Sequence, residues 1–140
     1  MRIRPLLLAL FVVFGSGCIN RDTLGGKSAA EPEVKRFHDL LKEREFEAMY
    51  AATGQQFKSA VPKNMAIKLF SAIDRKLGPL QQTKQVNWNV NTHNLVTTVA
   101  LVYQSRFESG EATETFTFHV LNGKPELIGY NIASLDMLIK

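Results

Sequence analysis

Few side chains of this sequence have the types and spacing that catalysis or metal binding requires. His38, His93 and His119 fall on a predicted helix, turn and strand, with no carboxylate at ligand spacing. No serine occupies a Gly-x-Ser-x-Gly turn, and the pair Gly25-Gly26 lacks the pattern of a phosphate loop. The sequence therefore predicts no catalytic residue, no metal site and no cofactor.

Cys18 is the single cysteine, so no disulfide can form within the chain. It directly follows three small residues at 15–17, which follow an apolar run at residues 6–14 and two arginines near the start. This order of positive, apolar and small residues is typical of a signal peptide. The apolar run is also far shorter than the roughly twenty residues that a membrane-spanning helix needs. We therefore predict that residues 1–17 are a signal peptide that is removed.

The small residues before Cys18 resemble the lipobox of bacterial lipoproteins, although Gly15 stands where that motif usually has Leu. The resemblance implies that the Cys18 thiol receives a lipid and anchors the mature chain to a membrane. Ile19, rather than Asp, then favours the outer membrane facing the periplasm if the organism is Gram-negative. The alternative is a plain secretory peptide with an incidental cysteine. A catalytic thiol is not favoured at a flexible chain end.

Composition argues for one small domain. Residues 18–32 are short, polar and rich in glycine and alanine, which is typical of a flexible tether. Residues 33–140 are long enough for a single α+β domain with one core. Removal of the signal lowers the net charge of +4 by two, and acids and lysines are interspersed. Because nucleic-acid binding needs clustered basic residues, no such partner is predicted.

Apolar residues recur at helical spacing in two regions before Pro79. In residues 33–50 the phase slips by one residue near 43–45, which fits two consecutive helices or one kinked helix. A further helix is predicted from Pro62 to Gly78, where a proline begins and a glycine ends the pattern. Its apolar positions follow at four-residue steps: Met65, Leu69, Ile73 and Leu77.

Beyond Pro79 the apolar spacing changes to period two and predicts four strands in an antiparallel meander. Turn-type sequences separate them, including residues 91–94 and 122–123. The second strand is apolar on both faces: Leu95, Val99, Leu101 and Tyr103 on one, Val96, Ala100 and Val102 on the other. Helices can cover one face, so we hypothesise that a second copy of the chain covers the other in a homodimer.

Helices followed by a curved meander are similar to the cystatin-like, nuclear transport factor 2-like cone fold. Local runs resemble small families of unknown function that carry this fold in bacterial lipoproteins: residues 37–41, 46–50, 57–58, 77–80 and 129–130. The resemblance covers nearly all of residues 33–134 and implies N-terminal helices packed on a curved four-stranded sheet. The matching positions are mostly packing and capping residues, so they indicate the fold rather than an activity.

Enzymes of the cone fold hold an Asp or a His in an apolar interior as a general base. His119 alternates with Phe118 and Val120, so we predict that its imidazole points away from the interior. Asp74 lies about 100° around its helix from the apolar Ile73 and is predicted to form surface ion pairs. Neither residue is therefore a strong candidate base.

Trp88, Tyr103 and Tyr130 are the candidate ligand-binding residues. The two tyrosines can reach the cone interior, where a hydroxyl could bind a ligand, although packing is the commoner role of a core tyrosine. Trp88 is predicted to share a strand face with Val86 and Val90, and it could line the mouth of a pocket or pack on the helices.

The sequence as a whole favours a membrane-anchored, non-enzymatic binding or interaction module of the cell envelope. Its partner would be an envelope protein, a second copy or a small hydrophobic ligand. A ligand carrier is one alternative, and it requires that the interior be hollow rather than filled by aromatic residues. An isomerase-like or cyclase-like enzyme is another, and it requires an inward carboxylate or histidine with an abnormal pKa.

Overall fold

The computed structural model describes residues 21–139, and it describes side chains from residue 25 onward. The predicted signal peptide and Cys18 lie outside the described residues. Four helices precede the sheet: α1 (Arg21–Lys42), α2 (Phe46–Ala51), α3 (Gln55–Ala60) and α4 (Lys63–Leu77). Sequence periodicity predicted the first, second and fourth of these helices, whereas the short helix α3 is new.

The phase slip at residues 43–45 separates two helices. Arg44 has φ +60°, a left-handed conformation that ends an α-helix and lets the chain restart in a new direction. In α4, Gly78 at φ +75° ends the helix as expected. Its buried face comprises Ala66, Phe70, Ile73 and Leu77, whereas Met65 is 54% exposed. The four-residue steps of the sequence pattern drift around the helix by about 40° each, so they follow the core face only at its C-terminal end.

The segment predicted as a flexible tether differs in the structure. Residues 21–32 belong to α1, which continues through Pro32 to Lys42. Ala30 is fully buried, and a Cβ on Gly26 would lie only 3.0 Å from a methyl of Thr97 and 3.2 Å from one of Val99. The small residues that suggested flexibility therefore let the helix lie close to the sheet, and this packing overrides the low helix propensity of Gly25 and Gly26.

The sheet is an antiparallel meander with strand order β1-β2-β3-β4. Its strands are β1 (Leu80–His93), β2 (Val96–Phe107), β3 (Gly110–Leu121) and β4 (Lys124–Ala133), and a short helix α5 (Leu135–Ile139) follows. The turns at residues 94–95 and 122–123 place four residues at positive φ, as two-residue hairpin turns require. The predicted four-stranded meander is thus present.

One face of the sheet packs on the helices. Alternate residues of β2 and β3, including Val99, Leu101, Phe116 and Phe118, are buried there. The opposite face, here called the outer face, carries Val96, Ala100 and Val102 of β2 beside threonines of β3. The predicted two-faced apolar pattern of β2 is present, except that Leu95 lies in the turn, where its side chain is 88% exposed.

Candidate functional site

Among the side chains that the structure describes, one carboxylate is fully buried in the cone interior. Glu114 is on β3, in the series that alternates toward the helices with Ala112, Phe116 and Phe118, and its exposed fraction is 0%. The pleat of the strand places it inside, because residues two apart share a face. Alternation with three buried apolar neighbours was a sequence signal that could have identified this residue.

Three side chains from three different elements satisfy this carboxylate. Nε2 of His38, on α1, lies 2.9 Å from Oε2 of Glu114, and the Ser105 hydroxyl on β2 donates to the same oxygen at 2.5 Å. The hydroxyl of Tyr130, on β4, donates to Oε1 at 2.7 Å. We call Glu114, His38, Ser105 and Tyr130 the interior network. Both carboxylate oxygens are used, so the network is closed on itself.

The electrostatics of the network favour an ionised glutamate. Burial by itself raises the pKa of Glu114, because it opposes the charged form. The hydrogen bonds from His38, Ser105 and Tyr130, together with the charge interaction with His38, lower the pKa by more. The pKa of Glu114 therefore lies below its ordinary value. Burial and the neighbouring negative charge raise the pKa of Tyr130 well above its ordinary value. Burial, with a smaller effect from Glu31, raises the pKa of Tyr103. Both tyrosines therefore remain neutral donors at physiological pH.

Aromatic rings fill the space around the network. The ring of Phe37 lies 5.1 Å from that of Phe116 and 4.7 Å from that of Tyr130, and Phe116 and Tyr130 are 5.0 Å apart. His38 packs edge-on to Phe116 and to Tyr103. A nearby cleft between α1, α2 and β4 has a cavity volume of only about 20 Å³, which is room for about one water molecule.

Gln85 is the polar residue of this region that lacks a partner among the described residues. Its Nε2 is buried without a hydrogen bond. The strand register places Gln85 opposite Tyr103, which is itself opposite Glu114, so the three form a row across β1, β2 and β3. This row is the polar side of the interior.

The candidate ligand-binding residues do not form one site. Tyr103 and Tyr130 both lie in the interior, but Trp88 is 44% exposed near the sheet edge, with Nζ of Lys27 at 5.9 Å from its ring centre. A register shift between Gln85 and Asn87 interrupts the alternation of β1, and the predicted common face with Val86 is lost as a result. Trp88 instead pairs with Leu101.

Two of the other predicted placements agree with the structure. His119 lies opposite Thr98 and Glu126, in the outer-face series of β3, and thus points away from the interior. Asp74 forms an ion pair with Arg44 at 3.1 Å. Sequence reasoning considered His38 only as a metal ligand and did not identify its role in the interior. Its position one turn after Val34 and beside Phe37, both buried, was the available signal.

The described part of the chain contains no group of three or more His, Cys, Asp or Glu side chains placed to hold a metal ion. Among residues 21–139, no helix combines the length and the hydropathy that crossing a membrane requires.

No protein-family model matches the chain, and no curated protein matches it. A solved structure from Novosphingobium aromaticivorans, assigned as a scytalone dehydratase, is similar over 81% of this chain and 87% of that chain. The TM-score is 0.50 and the sequence identity is 13%, so the likeness concerns the fold alone. Together with the strand order, it confirms that the domain is a nuclear transport factor 2-like cone of helices packed on a curved four-stranded meander.

Proposed function

We propose that this chain is a lipid-anchored protein of the cell envelope whose domain is a non-enzymatic binding module. The signal-peptide pattern and Cys18 support export and lipidation. In a Gram-negative organism the domain would stand on the outer membrane and face the periplasm. The cone fold itself is compatible with ligand binding as well as with isomerase-like chemistry, so the interior decides between these roles.

The closed interior network is the observation that carries the non-enzymatic part of the proposal. Glu114 has no exposed surface, and each of its oxygens accepts a hydrogen bond from the protein. A general base must reach the proton that it removes, within hydrogen-bond distance or through one water. Small-molecule sites also occupy about 300–1,000 Å³, whereas the cleft that Phe37 and Phe118 line between α1, α2 and β4 holds about one water molecule. Binding therefore belongs to the surface of the domain.

The outer face is the proposed binding surface. Val96, Ala100 and Val102 form an apolar strip there, and the helices that have contacts with the sheet lie on its other side or at its ends. Threonine side chains of β3 add methyl groups to this surface. A second copy of the chain is the simplest partner, because the apolar strip of one copy can pack against the same strip of another in a two-fold symmetric interface.

Native mass spectrometry of the exported protein tests the binding role. A variant with Cys18→Ala, in which an ordinary cleavable secretory signal peptide replaces residues 1–17, should yield the exported and unlipidated chain for this measurement and for the fractionation below. We expect a dimer, or a complex with an envelope protein, without a small bound molecule. A reproducible small adduct that disappears on denaturation would contradict the proposal and support a ligand carrier instead.

Membrane fractionation tests the anchor separately. The wild-type chain should sediment with membranes, and the Cys18→Ala variant should move to the soluble fraction because it lacks the lipid. Equal membrane association of both variants would contradict lipidation at Cys18. Labelling with a radioactive fatty acid gives a direct readout, since only the wild type should incorporate it.

An isomerase-like or cyclase-like enzyme is the second candidate, and the buried carboxylate of Glu114 beside His38 is the observation that favours it. Such an enzyme must open the helices away from the sheet to admit a substrate. Amide hydrogen exchange on β3 measures this opening. We expect the amides of residues 112–118 to exchange only through global unfolding. Rapid exchange limited to the interior of the cone would favour the enzyme.

A further inference from the structure

The start of α1 and two hairpin turns lie at the same end of the domain. Gly26 packs against Thr97, two residues after the turn between β1 and β2, and it shares a surface cleft with Leu95, Asn122 and Gly123. From there α1 runs along the sheet away from these turns, and its residue His38 contacts Glu114 in the cone interior. The turns at residues 94–95 and 122–123 and the beginning of α1 thus form one end, here called the hairpin end.

Chain length fixes where a lipid on Cys18 would be. Only two residues separate Cys18 from Arg21, the first residue of α1 that the structure describes. Three Cα–Cα steps span at most about 11 Å, whatever conformation they adopt. If Cys18 carries lipid, as the proposed function requires, the bilayer surface therefore lies within about 11 Å of the start of α1. The hairpin end is the part of the domain nearest to it.

The side chains of the hairpin end have the chemistry of a lipid-facing surface. Leu95 is 88% exposed and Leu121 is 51% exposed. Leu95 also has φ +66°, a conformation that favours glycine, and the turn between β3 and β4 does use Asn and Gly at the equivalent positions. No packing within the described residues explains a leucine held in this backbone conformation with its side chain in solvent.

The charges at the hairpin end are also those of a surface that faces lipid. Residues 91–97 and 120–125 contain no carboxylate, but they include Lys124 and His93, which are exposed. Glu126, two residues after Lys124, lines the same surface cleft as Leu121 and Lys124, so it is the two turns themselves that can approach anionic headgroups without repulsion. The opposite end of the sheet, by contrast, carries Glu108, Glu111 and Asp136.

We propose that the hairpin end docks on the bilayer, with Leu95 and Leu121 inserted among the lipid headgroups. The proposal rests on lipidation of Cys18. It gives the domain a fixed orientation: α1 rises directly from the membrane, and the sheet stands away from it with α5 at the distal end. The outer face would then be presented sideways, parallel to the membrane normal, and accessible to a partner anchored in the same membrane.

Depth-dependent quenching tests the orientation. The mature lipidated chain is reconstituted in vesicles of phosphatidylethanolamine and phosphatidylglycerol, with Leu95→Cys or Leu121→Cys labelled by an environment-sensitive fluorophore. The control is Leu138→Cys on α5, which is 82% exposed. Leu138 shares a surface cleft with Ile132, whose partner Glu114 lies seven residues along β3 from Leu121, or about 23 Å at 3.3 Å per strand residue. Brominated lipids should quench the labels at 95 and 121 several-fold more than the label at 138.

Flotation of the same vesicles separates the two hypotheses. If the chain does not float with the lipid, the anchor is wrong, and the docking proposal is overturned with it. If the chain floats but the brominated lipids quench both hairpin labels no more than the α5 label, lipidation stands and the docking proposal alone is overturned. Quenching at one hairpin label that clearly exceeds quenching on α5 supports it, even if the other variant fails to fold.

Discussion

A carboxylate inside a protein is stable only when hydrogen-bond donors replace the water that it has lost. Glu114 receives this replacement from His38, Ser105 and Tyr130, which lie on three different elements. The network therefore joins α1 to β2, β3 and β4 through one side chain. This polar network lies within an aromatic core and joins four elements, so breaking it should lower the unfolding free energy of the whole domain.

Substitution Glu114→Gln should destabilise the domain strongly. The side chain keeps its shape but loses its charge, so the groups that bind Glu114 lose a charged hydrogen-bond acceptor inside the core. The amide of Gln also turns an N–H donor toward one of the two donor hydroxyls, so we expect a loss of about 2–3 kcal/mol. The control is Glu111→Gln, because Glu111 pairs with Arg106 in solvent and its loss should cost less than about 1 kcal/mol. Urea unfolding measures both, and equal midpoints for the two variants would contradict the role of Glu114.

Acidification should remove the same contribution in the wild type. Because the pKa of Glu114 is lower in the folded state than in the unfolded chain, its charge stabilises the fold above the ordinary glutamate pKa of about 4.3. This contribution is lost as the pH falls through the folded-state pKa. The difference in unfolding free energy between wild type and Glu114→Gln should therefore shrink steadily below about pH 4. A constant difference across this range would show that the carboxylate is not ionised in the fold.

Local patterns predicted the positions of these residues better than their contacts. Strand alternation alone places Glu114 and Tyr130 on the face of the sheet that packs on the helices, and helical spacing places His38 beside Phe37. The contact between His38 and Glu114 joins residues 76 positions apart, and no local pattern encodes that distance along the chain. The sequence consequently identified Tyr103 and Tyr130 as interior residues but not the carboxylate that Tyr130 binds.

At the scale of elements, the meander was predictable because strand alternation and turn residues agree. The first half of α1 was not, because Gly25, Gly26 and Pro32 all have low helix propensity. Packing decides the structure there: Gly26 is buried against Thr97 and Val99. In β1, the register shift after Gln85 similarly depends on the neighbouring strand and is invisible in the apolar pattern.

Two adjacent glycines test the extended helix. A Cβ on Gly25 would meet nothing within 4 Å, so Gly25→Ala should raise stability by about 0.5–1 kcal/mol through higher helix propensity. A Cβ on Gly26 would crowd the methyls of Thr97 and Val99, so Gly26→Ala should instead cost about 1 kcal/mol. Thermal unfolding followed by circular dichroism compares the two. If neither substitution changes the midpoint, residues 21–32 behave as the flexible tether that composition suggested.

At the scale of the whole molecule, helices cover one face of the sheet and leave the other exposed. The helix-covered face is filled by aromatic rings and by the interior network, and the outer face is an uncovered sheet with an apolar strip. A domain with a filled interior and an accessible sheet face is suited to binding a partner through that face. The cone fold leaves both kinds of function possible, so the filling of the interior, and not the fold, is what favours a binding module.

Substitution Ala100→Lys should abolish self-association without unfolding the domain. Ala100 lies on the outer face between Asn89 and Thr117, so a lysine there would bring a like charge from each copy into the proposed interface. The matched control is Gln56→Lys, which adds the same charge on exposed α3. Sedimentation should show the wild type and Gln56→Lys as dimers and Ala100→Lys as a monomer with an unchanged melting temperature. A dimer that survives Ala100→Lys would move the interface away from the outer face. A monomeric wild type would instead leave a different envelope protein as the partner of that face.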